Sequence, residues 1–551
     1  MIQKNDVKFY CSSWKSVLLI LILSGISIFS TAQGINESYL PVISIDTRGQ
    51  SIISEARIIA GLKVIDNGKD QLNNIFVPGT DFDGNVAIKI RGQSSQMFPK
   101  KSFSLELRNN TGADTSASLL GLPTEEDWVL HAHYTDKTMM RNALTFHLGR
   151  LMGNWQPGFR YCVVYINGEY NGIYLLLESI KRGKDRVDIS KLEPGEISGD
   201  DLTGGYIFKA DKYGDLQPYE YFWTNPFLRY PGQRNYSFTY VYPDADVIAP
   251  EQSTYLRSFL NDFENSLNSS SFNDELTGFK KYIDWKSFID FQLMEELTNN
   301  VDGYIFSTFF YKEKDSKGGK MHAGPLWDFD LGYGNLNYSD FNLSTTYWHY
   351  PYYRERWVMH WWLRLMEDGE YARYFASRWK ELRSGPFRTD SILNYIDNTV
   401  SYLGSEINRN YNRWPIIGQY IWPNYYVGTT YNEDLEWFKN WLTSRLRWMD
   451  ENVSAPWMEL SGGFVNNLLV YPNPATDIVN IALNLRIAGR VNIDLIDLAG
   501  RKVKTIIFES DNSGFQEFNF DITNLSSGNY QLIVYLNNNL VARRGLVKIG
   551  N

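Results

Sequence analysis

A chain of 551 residues, 43% hydrophobic and 21% charged, is long enough for several domains and apolar enough to bury large cores. Its 54 Lys and Arg stand against 63 Asp and Glu, a net charge of −9, which argues against nucleic acid as the main partner. The six His do not cluster at metal-ligand spacing along the chain and no HExxH or CxxC occurs, so a zinc site has little support.

Residues 1–33 carry Lys4, Lys8 and Lys15, then an apolar run from Val17 to Phe29, then small residues up to Thr31-Ala32-Gln33. The run is shorter than the roughly 20 residues a bilayer requires, and the order of its regions predicts a signal peptide cut near Ala32 or Gln33, an uncleaved anchor being the alternative. No comparable run follows, so no transmembrane helix is expected in the mature protein. Cys11 would leave with the signal and Cys162 would remain alone. Set in the apolar run Tyr161–Tyr165, Cys162 reads as a buried structural thiol.

Strands are predicted at Leu40–Ile45, Ala56–Ile65, Phe82–Arg91 and Ser102–Leu107. Between the last two lies a Gly/Ser turn flanked by Arg91 and Lys101, a surface hairpin or a cradle for phosphate oxygens. From Asp127 to Leu151 the chain reads as helical, with Met140, Leu144, His147 and Leu148 on one stripe. Tyr161–Ile166 and Tyr170–Leu177, joined through Asn167-Gly168-Glu169, predict a hairpin that ends at Glu178. A further strand begins at Gly204, which closes a β-rich part of about 40–210. Residues 212–245 read as an aromatic-padded loop, a substrate-facing insertion being the alternative.

A helical part of about 250–450 follows, with helices predicted at 250–268, 282–299, 354–382, 388–413 and 432–450; their Trp residues read as core. The second helix, capped by Asp284, delivers Asn299, Asn300 and Asp302. A strand and a Lys/Gly turn then lead to Asp328 and Asp330. Two acidic loops so disposed have the layout of a phosphoryl-transfer site, one Asp orienting an acceptor hydroxyl and another holding magnesium. Asp beside Gly is also a common cap or turn former, and that alternative stays open. Tyr411–Tyr431 is aromatic and turn-rich. Past Trp457 the pattern changes to period-2 alternation, as in Val479, Ile481, Leu483 and Leu485, which predicts a small β-sandwich over 467–551.

Several motifs then fall in order: Arg91-Gly92-x-Ser94-Ser95, Pro99-Lys100-Lys101-Ser102-Phe103, Asp136 with Arg141-Asn142, Asn167-Gly168-x-Tyr170-x-Gly172-x-Tyr174 with Glu178, Asn300-x-Asp302, and Gly324-Pro325-Leu326-Trp327-Asp328-Phe329-Asp330. Together they resemble the spore-coat CotH kinase family across roughly 40–450, within a domain spanning 34–457. The tail, with Tyr471-Pro472-Asn473-Pro474 and Asp497-x-x-Gly500-Arg501, is similar to the type A C-terminal sorting domain of type IX secretion.

The resemblance implies an α+β protein: an atypical protein-kinase-like two-lobe fold followed by a small all-β sandwich. It implies transfer of the ATP γ-phosphoryl group, with Mg²⁺, to Ser/Thr of a protein or to another hydroxylated acceptor. Asp302 would be the catalytic Asp and Asp328 the magnesium ligand, with Asp330 a second carboxylate or a structural cap. Arg91 and Lys101 would meet the nucleotide phosphates, and Glu178 would lie at the connector near the adenine. Five residues beyond Asp302, where a conventional kinase loop has its metal-binding Asn, stands Ser307. That departure keeps a second reading open, an inactive kinase-like surface-binding or adhesion module contacting glycans. The tail implies Sec export, passage across the outer membrane by the type IX machinery, and a secreted or cell-surface protein.

Overall fold

The structure is a computed structural model, describing residues 36–550 apart from 215, 225–235, 339–342, 352–357, 455–464, 486–488, 511–513 and 538. The expected signal peptide and the composition change after Trp457 lie outside the described residues. Among them, no helix is long and apolar enough to cross a membrane.

Seven strands close a barrel: β1 (Val42–Asp46), β2 (Ile58–Ile65), β3 (Phe82–Arg91), β4 (Ser102–Arg108), β5 (Asp127–His131), β6 (Phe159–Ile166) and β7 (Glu169–Glu178), in the order β1-β2-β3-β4-β5-β7-β6. Closure comes from β1 lying parallel to β6, with Val42 opposite Val163. Ile43, Ile45, Leu62, Val86, Ile88, Leu105, Trp128, Val164 and Leu176 fill the interior. Their neighbours Val42, Val129, Val163, Leu175 and Leu177 point outward into a second core shared with the helices. Strands covered on both faces lose polar alternation, which is why β6 and β7 read as continuous apolar runs. Cys162 is fully buried among them and burial pushes its thiol up to about 12, the inert condition expected of it.

Two expectations are corrected here. The helix begins only at α1 (Arg141–Leu151), because Asp127–His131 is the strand β5. Trp128 stands opposite Leu105 and Leu130 opposite Phe103, so period-2 burial inside the barrel overrides the helical reading. The strand β8 (Tyr206–Ala210) does not join the barrel. It pairs with β10 (Ser237–Tyr242) and β11 (Thr308–Lys312) in a second sheet of order β9-β10-β8-β11-β12, completed by β9 (Tyr221–Trp223) and β12 (Met321–Ala323). The supposed aromatic loop therefore contributes two strands. Its Phe222 and Phe238 stack at 5.6 Å, and Phe238 also stacks on Trp361 at 5.9 Å.

Around this sheet pack α2 (Pro250–Asn268), α3 (Trp285–Thr298), α4 (His360–Met366), α5 (Gly369–Ser384), α6 (Thr389–Leu403), α7 (Glu406–Arg413) and α8 (Tyr431–Asn452). Asp284 caps α3 as read, accepting from Ser287 N at 2.9 Å. From Ser287 to Thr298 only Asp290 is less than buried, so α3 runs through the centre of the body. Its Glu296 is buried against Arg445 of α8 and accepts from Tyr304 Oη at 2.7 Å and His349 N at 2.6 Å. That network fixes the end of α3, where the candidate site begins.

The tail holds two sheets, β13 (Val465–Tyr471), β14 (Ile478–Leu485) and β17 (Gly514–Asp521) in one, and β16 (Lys502–Ser510), β15 (Gly489–Asp497), β18 (Gly528–Leu536) and β19 (Asn539–Lys548) in the other. Its core, including Val479, Ile481, Val491, Ile493, Leu532 and Val534, draws on tail residues alone.

Candidate active site

α3 ends at Asn299, whose φ of 47° is the left-handed turn that lets the chain leave the helix. The Asp302 carbonyl then accepts from Phe306 N at 2.9 Å, closing a tight loop in which Tyr304 (φ 68°) and Ser307 (φ 50°) also take left-handed conformations. Such backbone is costly for side-chain-bearing residues and gathers at functional sites. Asn300 ties this loop to the second one: its Oδ1 accepts from Asp302 N at 3.4 Å and its Nδ2 donates to the Asp328 carbonyl at 3.3 Å. Asp328 is itself left-handed, with φ 66°.

The loop around Asp328 is held from the other side by the first turn of α1. Asn142 Oδ1 accepts from Phe329 N at 2.8 Å while its Nδ2 donates to Asp330 Oδ1 at 2.7 Å. Arg141, paired with buried Asp136, donates through Nε to the Gly332 carbonyl at 3.1 Å. Thr145 meets Tyr333 Oη at 2.9 Å. Asn335 Nδ2 completes the clamp on the Asp330 and Thr135 carbonyls. The Asp136, Arg141 and Asn142 motif is thus the device that positions the acidic loop.

The three carboxylates differ in what holds them. Those of Asp302 and Asp328 make no hydrogen bond among the described residues, and Asp328 is exposed. Burial, Asp330 and Asp302 push Asp328 up to about 6, against the pull of His131 and Arg91. Asp302 is raised by burial and by Asp211, with Lys212 opposing. Neighbouring carboxylates that raise one another's pKa store repulsion that a cation relieves. Asp330, by contrast, lies 3.1 Å from His131 Nε2 and accepts from Asn142. His131 takes its proton more readily than an ordinary histidine; burial works against this, but Asp330 and Asp328 outweigh it.

Among the other sequence-chosen residues, Arg91 reaches the site. Its guanidinium lies 5.3 Å over the Trp327 ring, and burial weakens its basicity while Asp328 counteracts. Lys101 turns back into its own turn and donates to the Gln96 carbonyl at 2.6 Å. The turn is a short 3-10 helix in which Gln96 N and Phe98 N already bond to Gln93 and Ser95 carbonyls, so it offers fewer spare amides than a phosphate cradle would. Glu178 is buried against Arg186 at 2.5 Å and accepts from Gly158 N at 2.6 Å. These contacts make it a brace at the barrel end, and none among the described residues links it to the acidic loops.

Two features escaped the sequence. Lys212, whose ammonium lies 4.7 Å over the Phe306 ring, supplies the positive charge nearest in effect to Asp302; it opens the stretch 212–245 that was read as an aromatic-padded loop. His131 and His133 flank the end of β5, and their ligand nitrogens and an Asp330 oxygen lie within 4.8 Å of one another. The third member comes from 199 residues away, so no spacing in the sequence could announce it.

Residues 88–449 match the family profile described as CotH kinase protein, and residues 469–548 match the secretion system C-terminal sorting domain, which indicates secretion or display at the cell surface. The inner spore coat protein H of Bacillus subtilis (strain 168) is 25% identical over 256 residues, 45% of this chain; the chain spans 59% of that relative's length. A solved structure of the Pseudomonas fluorescens alkylpurine DNA glycosylase AlkC bound to DNA containing an abasic site analog aligns over 34% of this chain and 54% of that one. At 15% identity and a TM-score of 0.11, it carries no argument.

Proposed function

The chain belongs to the CotH kinase protein family, and from that premise we propose that it is a secreted phosphotransferase moving the ATP γ-phosphoryl group to Ser/Thr or another hydroxyl. One observation carries the reading: two acidic loops, laced together by Asn300, present the Asp302 and Asp328 carboxylates with no hydrogen bond to either among the described residues. We read the barrel and the sheet-and-helix body as the counterparts of a kinase's two lobes, with these loops between them.

The donor set fits a hard divalent cation, since Mg²⁺ prefers oxygen ligands and one or two carboxylates beside phosphate. Asp328 would hold it, with Asp330 as the further carboxylate; when bound, such an ion would neutralise phosphate charge. The remaining work belongs to the chain's own side chains. Asp302, at the end of a rigidly buried helix, orients an acceptor hydroxyl and takes its proton, helped by a pKa raised toward the working range. Lys212 offsets the charge that Asp302 brings. Arg91, resting on Trp327 beside Asp328, is placed to balance negative charge developing on a phosphoryl group. Lys101 and Glu178 have no part in this scheme. Ser307 leaves the catalytic loop without a second amide ligand, so the scheme relies on one well-held cation.

The tail directs this activity outward, and we read its recognition partner as the type IX secretion machinery. The test is the melting temperature of the folded mature protein with millimolar Mg-ATP, since a ligand bound by the native state alone raises it. A rise in wild type that is lost in Asp328→Asn supports the reading. Asp302→Asn should keep the rise but slow phosphoryl transfer by roughly 100-fold or more. No shift in wild type would overturn the enzymatic reading and leave a surface-binding module.

A further inference from the structure

His133 leaves β5 in a left-handed turn (φ 50°) and is only 4% exposed, yet neither of its ring nitrogens has a hydrogen-bond partner among the described residues. A buried imidazole without partners forfeits the solvation of both nitrogens, and a native fold seldom leaves that cost unanswered. Its ring stands edge-on to His131 at 4.7 Å. The ligand atoms of His131, His133 and Asp330 lie within 4.8 Å of one another.

His131 adds an independent conflict. Its Nε2 lies 3.2 Å from Asn142 Nδ2 and 3.1 Å from an Asp330 carboxylate oxygen. Asn142 cannot be turned over, because its Oδ1 already accepts from Phe329 N. If Nε2 carries a proton, it confronts the N–H of Asn142. If it is bare, its lone pair confronts the carboxylate. A cation between nitrogen and carboxylate removes the second conflict, and Asn142 then donates to Asp330 alone.

We propose that His131, His133 and Asp330 form a transition-metal site beside the acidic loops, with Zn²⁺ the ion that its donors fit best. Two imidazoles and one carboxylate form the three-ligand set of an open zinc site, which leaves a fourth position for water or a substrate oxygen. Magnesium, which favours oxygen ligands, is a poor match to this set, and nitrogen donors favour zinc over it. The surrounding charge permits a dication. Asp328 lies near, against Arg91 and against Lys100, whose ammonium is engaged by the Ile173 carbonyl and Asn410 Oδ1. Asn142 Nδ2 donates to Asp330 Oδ1 at 2.7 Å, and a hydrogen bond of this kind orients a carboxylate as a metal ligand. This site is separate in ligand chemistry from the magnesium reading of Asp328 and stands whether or not the protein transfers phosphate. It reassigns Asp330, which a bound zinc would draw away from any magnesium.

The test uses full-length mature protein, freed of metal by chelation and dialysis, with no nucleotide present. Titration with Zn²⁺ should show one equivalent bound and a raised melting temperature, and Co²⁺ in its place should give the visible bands of a four-coordinate nitrogen site. Millimolar Mg²⁺ should not displace either ion. His133→Gln should weaken binding by roughly 100-fold and abolish the Co²⁺ bands. Because His133 is buried, His131→Gln at the less deeply buried position serves as the second variant, each checked for native circular dichroism. Absence of Zn²⁺ binding in wild type overturns the proposal. So does binding unchanged in a folded His131→Gln, or binding lost in Asp328→Asn and kept in both His variants, which would assign the ion to the carboxylate pair.

Discussion

Glu264 of α2 is fully buried, with the Trp361 indole nitrogen donating to its Oε1 at 2.9 Å, and burial pushes its carboxyl up to about 8. Its folded pKa therefore lies above the unfolded value near 4.5. The stability linked to it is complete below that unfolded value and is lost as pH rises toward about 8. Glu264→Gln keeps the acceptor for Trp361 and places an amide beside the Thr224 hydroxyl. We expect it to be near neutral at pH 4.5 and stabilising by on the order of 2 to 4 kcal/mol at pH 8, at about 1.4 kcal/mol per pKa unit. Denaturant melts of both proteins across that range check it; a gain that shrinks with rising pH would contradict the assignment. At this scale the sequence is least informative. The placement of Asp302 and Asp328 in loops just past a helix and a strand was legible because each follows a regular element. The neighbourhood of His133 was not, since the carboxylate near it comes from a distant loop. Lys101 was legible as a charge beside Gly and Ser, but its direction was decided by a carbonyl five residues back.

One helical turn does most of the positioning. Asn142 is 2% exposed and satisfies both the Phe329 amide and the Asp330 carboxylate, so removing it strands one buried donor and one charged acceptor. Asn142→Ala should cost about 1 to 3 kcal/mol, with faster hydrogen exchange at Phe329 and its neighbours and little change in the barrel strands. An equal rise in exchange throughout the body would mean that the contact is not a local clamp. The start of α1 also shows how an element becomes misread. Its apolar stripe is genuine, as Met140, Leu144 and Leu148 are buried, but the stripe was extended back across Trp128 and Leu130, which alternate into the barrel. Strands covered on both faces lack the polar partner that marks a strand in sequence. The same loss of alternation hid the strands within 212–245, where aromatic side chains pack on both sides of the second sheet.

The hydrophobic cores account for how the molecule divides. Barrel and helical body share the outward faces of β1, β5, β6 and β7 with the helices, so neither is expected to fold without the other. The tail is different: its core is made from its own strands, and among the described residues the apolar cluster that joins it to the body is small, with Tyr347 packed near Leu469, Tyr471 and Ala482. The tail's strands were legible in the sequence because a sheet with one wet face keeps its period-2 alternation. Deleting residues 465–551 should therefore leave the body folded. Loss of so small a cluster, worth about 1 kcal/mol, lowers Tm by roughly 2 °C or less in a body of this size. The same deletion should stop the protein reaching the medium or the cell surface, since residues 469–548 match a sorting domain. If the tail were instead a stabilising sandwich, the truncated body would melt much earlier or aggregate while still being exported. Fractionation of cells expressing each form, with melting curves of the purified bodies, separates the two. Truncated protein outside the cell in normal amount would refute the sorting role, and a large fall in Tm would refute the independence of the domains.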